Sequence, residues 1–409
     1  MTFAGVEKQV SNRARFFVLV TVFLDMVGFG IIFPVMPELI GDVGHVDLAA
    51  AARIGGWMAA AYSLTQFLSG PLMGNLSDRF GRRPLLLLSV FGLGIDFLIQ
   101  ALAPTVGWLF VGRILSGLCG ASWIIANAFI ADVTPPEDRG RAFGQMGAAF
   151  GLGFVIGPAI GGVLGEYGPR VPFYAAAAIS LVNFAFGFFV LPETLAADRR
   201  RPFDWARANP FGALRVFRTY SGVLPMCAVM AVFFFCTSVY PAIWSFWSKA
   251  RFGWSEAMIG ATLAAFGIVM AVFQGGLSGL VVRVFGEFRT VLIGLVAAVI
   301  AATGYGFVNG LPMVLLLLLV HGPEGFVHPM LTALMSQRVP ENAQGELQGG
   351  LASIMSATSI IGPLIMSNLF YFFTKSDAPV YFPGAPMLMG AVLTFISTAI
   401  AYKSFKKNL

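Results

Sequence analysis

The sequence predicts an all-α polytopic membrane protein in which twelve transmembrane helices form two pseudo-symmetric six-helix halves. Three observations support this prediction: the composition, the number of apolar segments and an internal repeat. Of the 409 residues, 57% are hydrophobic and 11% are charged, whereas soluble domains carry about 25% charged residues. The net charge of +6 is spread over short loops, so it does not indicate a nucleic-acid-binding surface.

Each apolar segment is about long enough to cross the hydrocarbon core of a bilayer as a helix. The first contains Asp25 and has no small-residue cleavage site, so we interpret it as a retained helix and not a signal peptide. The segments lie near 15–37, 52–75, 83–103, 107–131, 139–165, 170–191, 220–247, 255–283, 288–308, 311–337, 345–373 and 384–403.

The internal repeat has a constant offset of 205 residues. It relates Gly74, Phe80 and Gly81 to Gly279, Phe285 and Gly286, Gly157-Pro158 to Gly362-Pro363, and Gly140 and Gly144 to Gly345 and Gly349. The repeat predicts two parallel halves, 1–191 and 220–409, joined by a loop at 192–219, with a substrate site near the membrane midplane.

The basic residues predict the orientation. With the N-terminus inside, twenty Lys and Arg fall on the inner side and five on the outer side, so both termini are expected in the cytoplasm. Within the cytoplasmic loop, Trp205–Tyr220 is partly amphipathic and either lies on the lipid headgroups or is a flexible linker, because Pro210 and Gly212 interrupt a helix there.

Four ionisable groups fall inside apolar segments: Asp25, Asp96, Arg113 and Glu324. A charge at the bilayer centre costs at least about 2.5–3.5 kcal/mol, so such groups usually face a cavity. A carboxyl that moves between an apolar wall and Arg113 could take up and release a proton, because burial disfavours its charge and a cation favours it. The alternative is a structural pairing of these groups.

Further polar and aromatic side chains are candidates for lining a substrate cavity. Glu324 is flanked by histidines, which suits proton handling or cation recognition, or else a buried hydrogen-bonded pair. Trp244 and Trp247 are expected at the membrane interface, and the amide side chains could equally link helices. The cavity candidates are Gln66, Asn127, Phe234, Tyr240, Met270, His321, Glu324 and His328.

Two glycine-bearing motifs stand out. The first is a short charged loop between helices 2 and 3, with Gly74, Asp78, Arg79, Gly81, Arg82 and Arg83. The second lies in helix 5, where small residues provide a face for close packing and the proline is expected to bend the helix; it contains Gly153, Gly157, Pro158, Gly161 and Gly162.

These residues resemble the major facilitator superfamily, and within it the drug/proton antiporters of the tetracycline-efflux type. The resemblance covers nearly the whole chain. The matching stretches are Leu24–Leu39 in helix 1, Gly74–Pro84, the RxxxG motif Arg113–Gly117, the helix 5 motif Gly153–Gly162, and Gln344–Ile354.

The resemblance implies that Asp25 and Arg113 serve proton coupling and that Asp96 handles substrate or protons. It also implies that Asp78 and Arg82 gate the cytoplasmic face, and we expect Asp78 to accept hydrogen bonds from a helix N-terminus of the other half. The chain departs from the family pattern in helices 8 and 9, where 267–270 and 294–298 have no ionisable group. A lipophilic compound, for example a cationic one, is therefore a better expectation than a tetracycline–metal complex.

The expected function is proton-coupled export of lipophilic or amphipathic small molecules by a monomer in the bacterial inner membrane. A carrier for a native metabolite, sugar or lipid, not coupled to protons, is the alternative, and a sensor that kept the fold is a third possibility. No nucleophile–base pair indicates an enzyme. No cofactor is expected, and the cysteines Cys119, Cys227 and Cys236 show no metal-ligand spacing.

Overall fold

The computed structural model describes residues 3–120, 122–203, 220, 222–340 and 343–405. Within these ranges every regular element is a helix. The expectation for Trp205–Tyr220 falls outside the described residues apart from Tyr220.

Prolines begin several helical elements of the first half, where the missing amide proton has no helical partner to lose. Pro34 lies in a 3₁₀ turn, Phe33–Val35, and Pro172 lies in the first turn of its helix. The helices of this half are α1 Phe3–Ile31, α2 Met36–Gly44, α3 Leu48–Phe80, α4 Arg82–Leu102, α5 Val106–Cys119, α6 Ser122–Val133, α7 Arg139–Gly165 and α8 Val171–Val190.

The second half contains two departures from α-helical geometry. A π-helix, Ala271–Leu277, continues one α-helix into the next, and a 3₁₀ segment, Gly322–Phe326, interrupts another. The α-helices are α9 Val223–Thr237, α10 Val239–Phe252, α11 Glu256–Met270, α12 Ser278–Phe307, α13 Leu311–His321, α14 Val327–Ser336, α15 Gln344–Thr374 and α16 Ala385–Phe405.

The described residues contain ten helical stretches long and apolar enough to cross a membrane. One of them, Glu256–Phe307, has 52 residues, or roughly 78 Å at 1.5 Å per residue, more than twice the hydrocarbon thickness. It is broken at Gly286, where the backbone leaves helical geometry. The 33-residue helix α3 is not among the ten. The all-α polytopic membrane fold is confirmed, and the count of twelve spans stays a prediction.

The repeat has a structural counterpart at its two loop glycines. Gly81 has φ 108° and ψ 160°, and Gly286 has φ 78° and ψ 163°. Positive φ with extended ψ is a conformation that essentially only glycine adopts. The same backbone bend therefore stands at two positions 205 residues apart, although the charges around them differ.

The chain forms two compact units. The first comprises 1–39, 61–209 and 256–264, and its core includes Phe17, Leu86 and Phe129. The second comprises 40–60, 210–255 and 265–409, and its core includes Met226 and Leu295. The division into domains 1–191, 192–219 and 220–409 stays a prediction.

Candidate functional site

An ion pair lies between α4 and α5 in the first unit. Arg113 Nη2 is 3.5 Å from Asp96 Oδ2, and both side chains are almost fully buried. Gln100 Nε2 donates to the other carboxylate oxygen of Asp96 over 2.7 Å. Gly112 makes room for this arrangement, because a Cβ there would be 2.7 Å from Asp96 Oδ1. Arg113 is thus the direct ion-pair partner of Asp96.

Asp25 lies in α1 and is 7% exposed. The Ser122 hydroxyl is within hydrogen-bonding reach of its carboxyl group. Its Oδ1 atom has no hydrogen-bond partner among the described residues. Tyr62 of α3 is close enough to Asp25, Asp96 and Arg113 for each of the three charges to act on its hydroxyl. Asp25 therefore belongs to the same polar region as the ion pair while its own oxygen is incompletely satisfied.

The predicted helix 5 is α7 of the structure. Its glycines bring α7 into close contact with the turn of α1 that carries Asp25. A Cβ on Gly153 would be 2.6 Å from the carbonyl oxygen of Phe23, and one on Gly157 would be 2.6 Å from that of Val27. These two carbonyls flank Asp25 in the sequence. The close backbone approach that small residues permit therefore fixes the position of Asp25.

The remaining helix 5 residues continue this contact. A Cβ on Gly161 would be 2.0 Å from the carbonyl oxygen of Ile31. Gly162 faces the start of α11, where Gly260 lies against the Pro158 carbonyl. The motif predicted from the sequence as a packing face is thus in contact with α1 and with the start of α11.

The charged motif expected as a loop is almost wholly helical, because only Gly81 separates the end of α3 from the start of α4. Its Asp78 and Arg82 form, with Asp132 and Glu193, a cluster that we call the gate cluster. Arg82 Nη1 is 2.5 Å from Asp78 Oδ1, and Arg82 Nε is 3.1 Å from Asp132 Oδ2. Arg82 and Asp132 line, with Asp78 and Arg201, a cleft of about 330 Å³. Arg82 therefore bridges two acids.

Glu193 caps the N-terminus of α4. Its carboxylate accepts hydrogen bonds from the backbone N–H groups of Arg82, over 2.9 Å, and Arg83, over 3.3 Å. An acid at a helix N-terminus satisfies free amides and complements the helix dipole. A Cβ on Gly81 would be 2.1 Å from Glu193 Oε2, so a side chain here would displace the carboxylate from the α4 amides, and the positive φ itself favours glycine.

The other residues of this charged motif have simpler surroundings. The Arg83 guanidinium donates to the Phe188 carbonyl over 2.7 Å, and the Arg79 guanidinium lies 5.1 Å from the centre of the Phe80 ring. Gly74 lies inside α3. Asp132 and Glu193 were not predicted from the sequence. The sequence held a signal for each of them. Asp132 comes directly after the apolar segment 107–131, and Glu193 lies just after the apolar segment 170–191, in Leu191–Thr194.

A second buried polar group lies in the second unit. His321 Nε2 is hydrogen-bonded to Glu324 Oε2, and His321 Nδ1 is 3.5 Å from the Tyr305 hydroxyl. The His321 ring contacts Tyr240 and Phe266, with ring centres 4.6 and 5.1 Å apart. We call these five residues the His–Glu cluster. His321 and Glu324 are therefore close together, as predicted, and aromatic rings surround them.

Trp244 and Trp247 contradict their expected interfacial position. Both are buried, and both rings pack edge-on against Tyr305, at 5.2 and 6.1 Å between centres. They therefore pack against the His–Glu cluster through Tyr305. The error arose because an aromatic near the end of an apolar segment can face lipid headgroups or the protein interior, and the sequence alone does not separate the two.

The other cavity candidates are dispersed. His328 is exposed and lies 5.3 Å from the Phe234 ring, measured between centres, so it is not part of the His–Glu cluster. Gln66 Nε2 donates to the Tyr62 hydroxyl and to the Gly120 carbonyl, which links two helices. Asn127 donates to a carbonyl of its own helix, and Met270 ends α11. In the described ranges, no three His, Cys, Asp or Glu side chains come together as a metal site.

Comparison with known proteins identifies the class. The family model of the Major Facilitator Superfamily matches residues 18–363 and 226–408. The nucleoside transporter NupG superposes with a TM-score of 0.76 over 96% of this chain and 99% of its own, at 13% identity, which shows the fold alone. The chain belongs to the Major Facilitator Superfamily and is a membrane transporter, not an enzyme.

Within that superfamily, its relatives define a narrower group. Tetracycline resistance protein class C of Escherichia coli is 40% identical over 363 residues, covering 88% of this chain and 90% of the relative. Multidrug resistance protein 2 of Bacillus subtilis is 28% identical over 397 residues, covering 96% and 97%. The chain is a member of the tetracycline resistance protein family, as its helix 1, 5 and 11 motifs predicted.

Proposed function

We propose that this protein is a proton-coupled antiporter that exports lipophilic or amphipathic small molecules across the bacterial cytoplasmic membrane. It works as a monomer, with both termini in the cytoplasm. The names of its relatives, a tetracycline resistance protein and a multidrug resistance protein, support drug efflux as the physiological role.

The observation that carries the proposal is the environment of Asp25. A buried carboxylate with an unpartnered oxygen is unfavourable, because desolvation is not offset by hydrogen bonds. Protonation removes that charge. Because Arg113 is already held by Asp96, Asp25 is the acid whose protonation state changes most readily during a cycle.

The ion pair has the complementary role. A rearrangement that brings substrate or water to Asp96 changes how strongly it holds Arg113, and thereby the charge that Asp25 experiences. Substrate binding and protonation then act on one electrostatic network, which is the requirement for exchange of one for the other.

The test uses full-length protein in proteoliposomes with an imposed pH gradient. Wild type should move tetracycline or ethidium uphill, driven by the gradient. Asp25→Asn should lose uphill transport and retain downhill exchange, whereas Asp377→Asn, an acid 76% exposed in a loop, should behave as wild type. Uphill transport by Asp25→Asn at the wild-type rate would overturn the role of Asp25.

The same assay separates the alternative function. A carrier for a native metabolite, sugar or lipid that is not coupled to protons would show flux that ignores the pH gradient. Such gradient-independent flux in wild type would overturn the antiport mechanism itself.

A further inference from the structure

The His–Glu cluster stands where two helices depart from α geometry. The chain passes from α13 through the 3₁₀ segment Gly322–Phe326 into α14, so Glu324 lies at a helix interruption. The π-helix Ala271–Leu277 packs against that segment, where a Cβ on Gly322 would overlap the Phe273 ring. Discontinuous helices and π-bulges concentrate at binding sites in membrane transporters and enzymes.

The side chains around Glu324 are aromatic or weakly polar. Among the residues that the structure describes, the ionisable side chain paired with Glu324 is His321. The titratable groups facing the pair from the neighbouring helices are Tyr305 of α12, Tyr240 of α10 and Cys236 of α9. These groups are neutral at physiological pH in their ordinary state, so the charge of the site is set by the pair.

The pair carries no net charge when it holds one proton. With that proton it is either imidazolium and carboxylate or imidazole and carboxylic acid, and without it the buried site has a charge of −1. An uncompensated buried charge is strongly unfavourable. Release of the proton therefore requires a cation to replace it.

Two aromatic rings of the cluster offer a surface for such a cation. Tyr240 and Phe266 are half-buried, whereas His321, Glu324 and Tyr305 behind them are buried. Ring faces attract organic cations, and most strongly where water is excluded. Both rings contact the His321 ring, which is itself hydrogen-bonded to the Glu324 carboxylate.

We propose that the His321–Glu324 pair is a proton-binding site that gives up its proton to water when a lipophilic organic cation binds against Tyr240 and Phe266. The exchange leaves the net charge of the site unchanged. The pair holds the proton while the site is empty of cation, and the cation balances the Glu324 carboxylate afterwards. This inference rests on the proposed function and names its substrate class.

The experiment measures proton release by purified full-length protein in weakly buffered detergent solution. The probe is tetraphenylphosphonium, which carries a permanent charge and no proton of its own, and the control is tetraphenylborate, an anion of the same shape. Wild type should release about one proton per bound phosphonium, seen also as affinity that rises with pH. The borate should produce no release.

The variants assign the release to the pair. Glu324→Gln should abolish it and weaken phosphonium binding by at least about thirtyfold, the effect expected from removing one member of a buried charge pair. Glu324→Asp should retain the release, because it keeps a carboxylate at the site. His328→Asn, which removes an exposed imidazole outside the cluster, should match wild type.

Each other outcome overturns the inference. It fails if wild type does not bind phosphonium, if binding releases no proton, or if Glu324→Gln releases protons as wild type does. Gradient-driven export of tetracycline that survives in Glu324→Gln, together with any of these results, would leave the proposed function standing. Normal proton release without gradient-driven transport of any compound would instead overturn the proposed function.

Discussion

Gly81→Ala tests the contact between the charged loop and Glu193. The substitution forces alanine into φ 108° and ψ 160°, and it places a methyl group 2.1 Å from Glu193 Oε2. Two penalties result. The backbone conformation costs about 1–3 kcal/mol for a residue other than glycine. Displacing the carboxylate from the α4 amides costs about 0.5–2 kcal/mol, the usual value of a helix cap.

Gly286→Ala is the matched control. Gly286 has nearly the same backbone conformation, with φ 78° and ψ 163°, but beyond the adjacent stretch of its own chain no atom lies within 4 Å of the position its Cβ would take. It should therefore carry the backbone penalty alone. The expected difference between the two variants is the cap contribution, about 0.5–2 kcal/mol, with Gly81→Ala the less stable.

The assay is thermal unfolding of purified protein in detergent, followed by tryptophan fluorescence. Glu193→Ala completes a double-mutant cycle, in which Gly81→Ala should be less destabilising once the carboxylate is gone. Equal destabilisation by the two glycine substitutions would refute the reasoning. So would a Gly81→Ala effect that is unchanged in the Glu193→Ala background.

Three further predictions concern the first unit. Arg113→Gln should destabilise the protein by about 3–5 kcal/mol, because Asp96 is left as an unpaired buried charge. Adding Asp96→Asn should restore part of the unfolding temperature, and a double variant no more stable than the single variant would contradict this. Gly161→Val should lower the unfolding temperature and transport by forcing α7 from α1, whereas Gly147→Val, with nothing within 4 Å of its Cβ, should do neither; equal effects of the two would contradict close packing as the cause. Asp132→Asn should change stability by less than about 1 kcal/mol, as for other partly exposed ion pairs, while slowing transport in the proteoliposome assay; an unaltered rate would remove Asp132 from the gate cluster's function.

The fold could be predicted from the sequence because the bilayer permits few solutions. Spanning segments must be long, apolar and helical, and the loop charges and repeated glycines then order them. The residues at which the membrane spans end were harder to predict. The charges suggested that the second segment ended near 75, but α3 contains Pro71 and still continues through Asp78 to Phe80. It ends where the Gly81 backbone leaves helical geometry.

The candidate site was predictable where a charge stands in an apolar segment. Asp25, Asp96 and Glu324 were found because burial of an ionisable group is unfavourable and so is informative. His321 was expected beside Glu324 because it lies three residues away, but the partners on separate helices were not predicted. The pairing of Arg113 with Asp96, and the packing of Tyr305 on His321, depend on which faces of separate helices meet, and a periodic pattern does not state that.

Glu193 also defines where the connector between the two sequence halves begins. Its carboxylate accepts from Arg82, Arg83 and Leu195, and the Arg201 amide donates to the Asp78 carbonyl over 3.1 Å. The chain after α8 therefore belongs to the N-terminal fold as far as Arg201. Anyone dividing the gene to express the halves as separate polypeptides should cut after Arg201, since a cut at the end of α8 would take a helix cap away from the fragment that needs it.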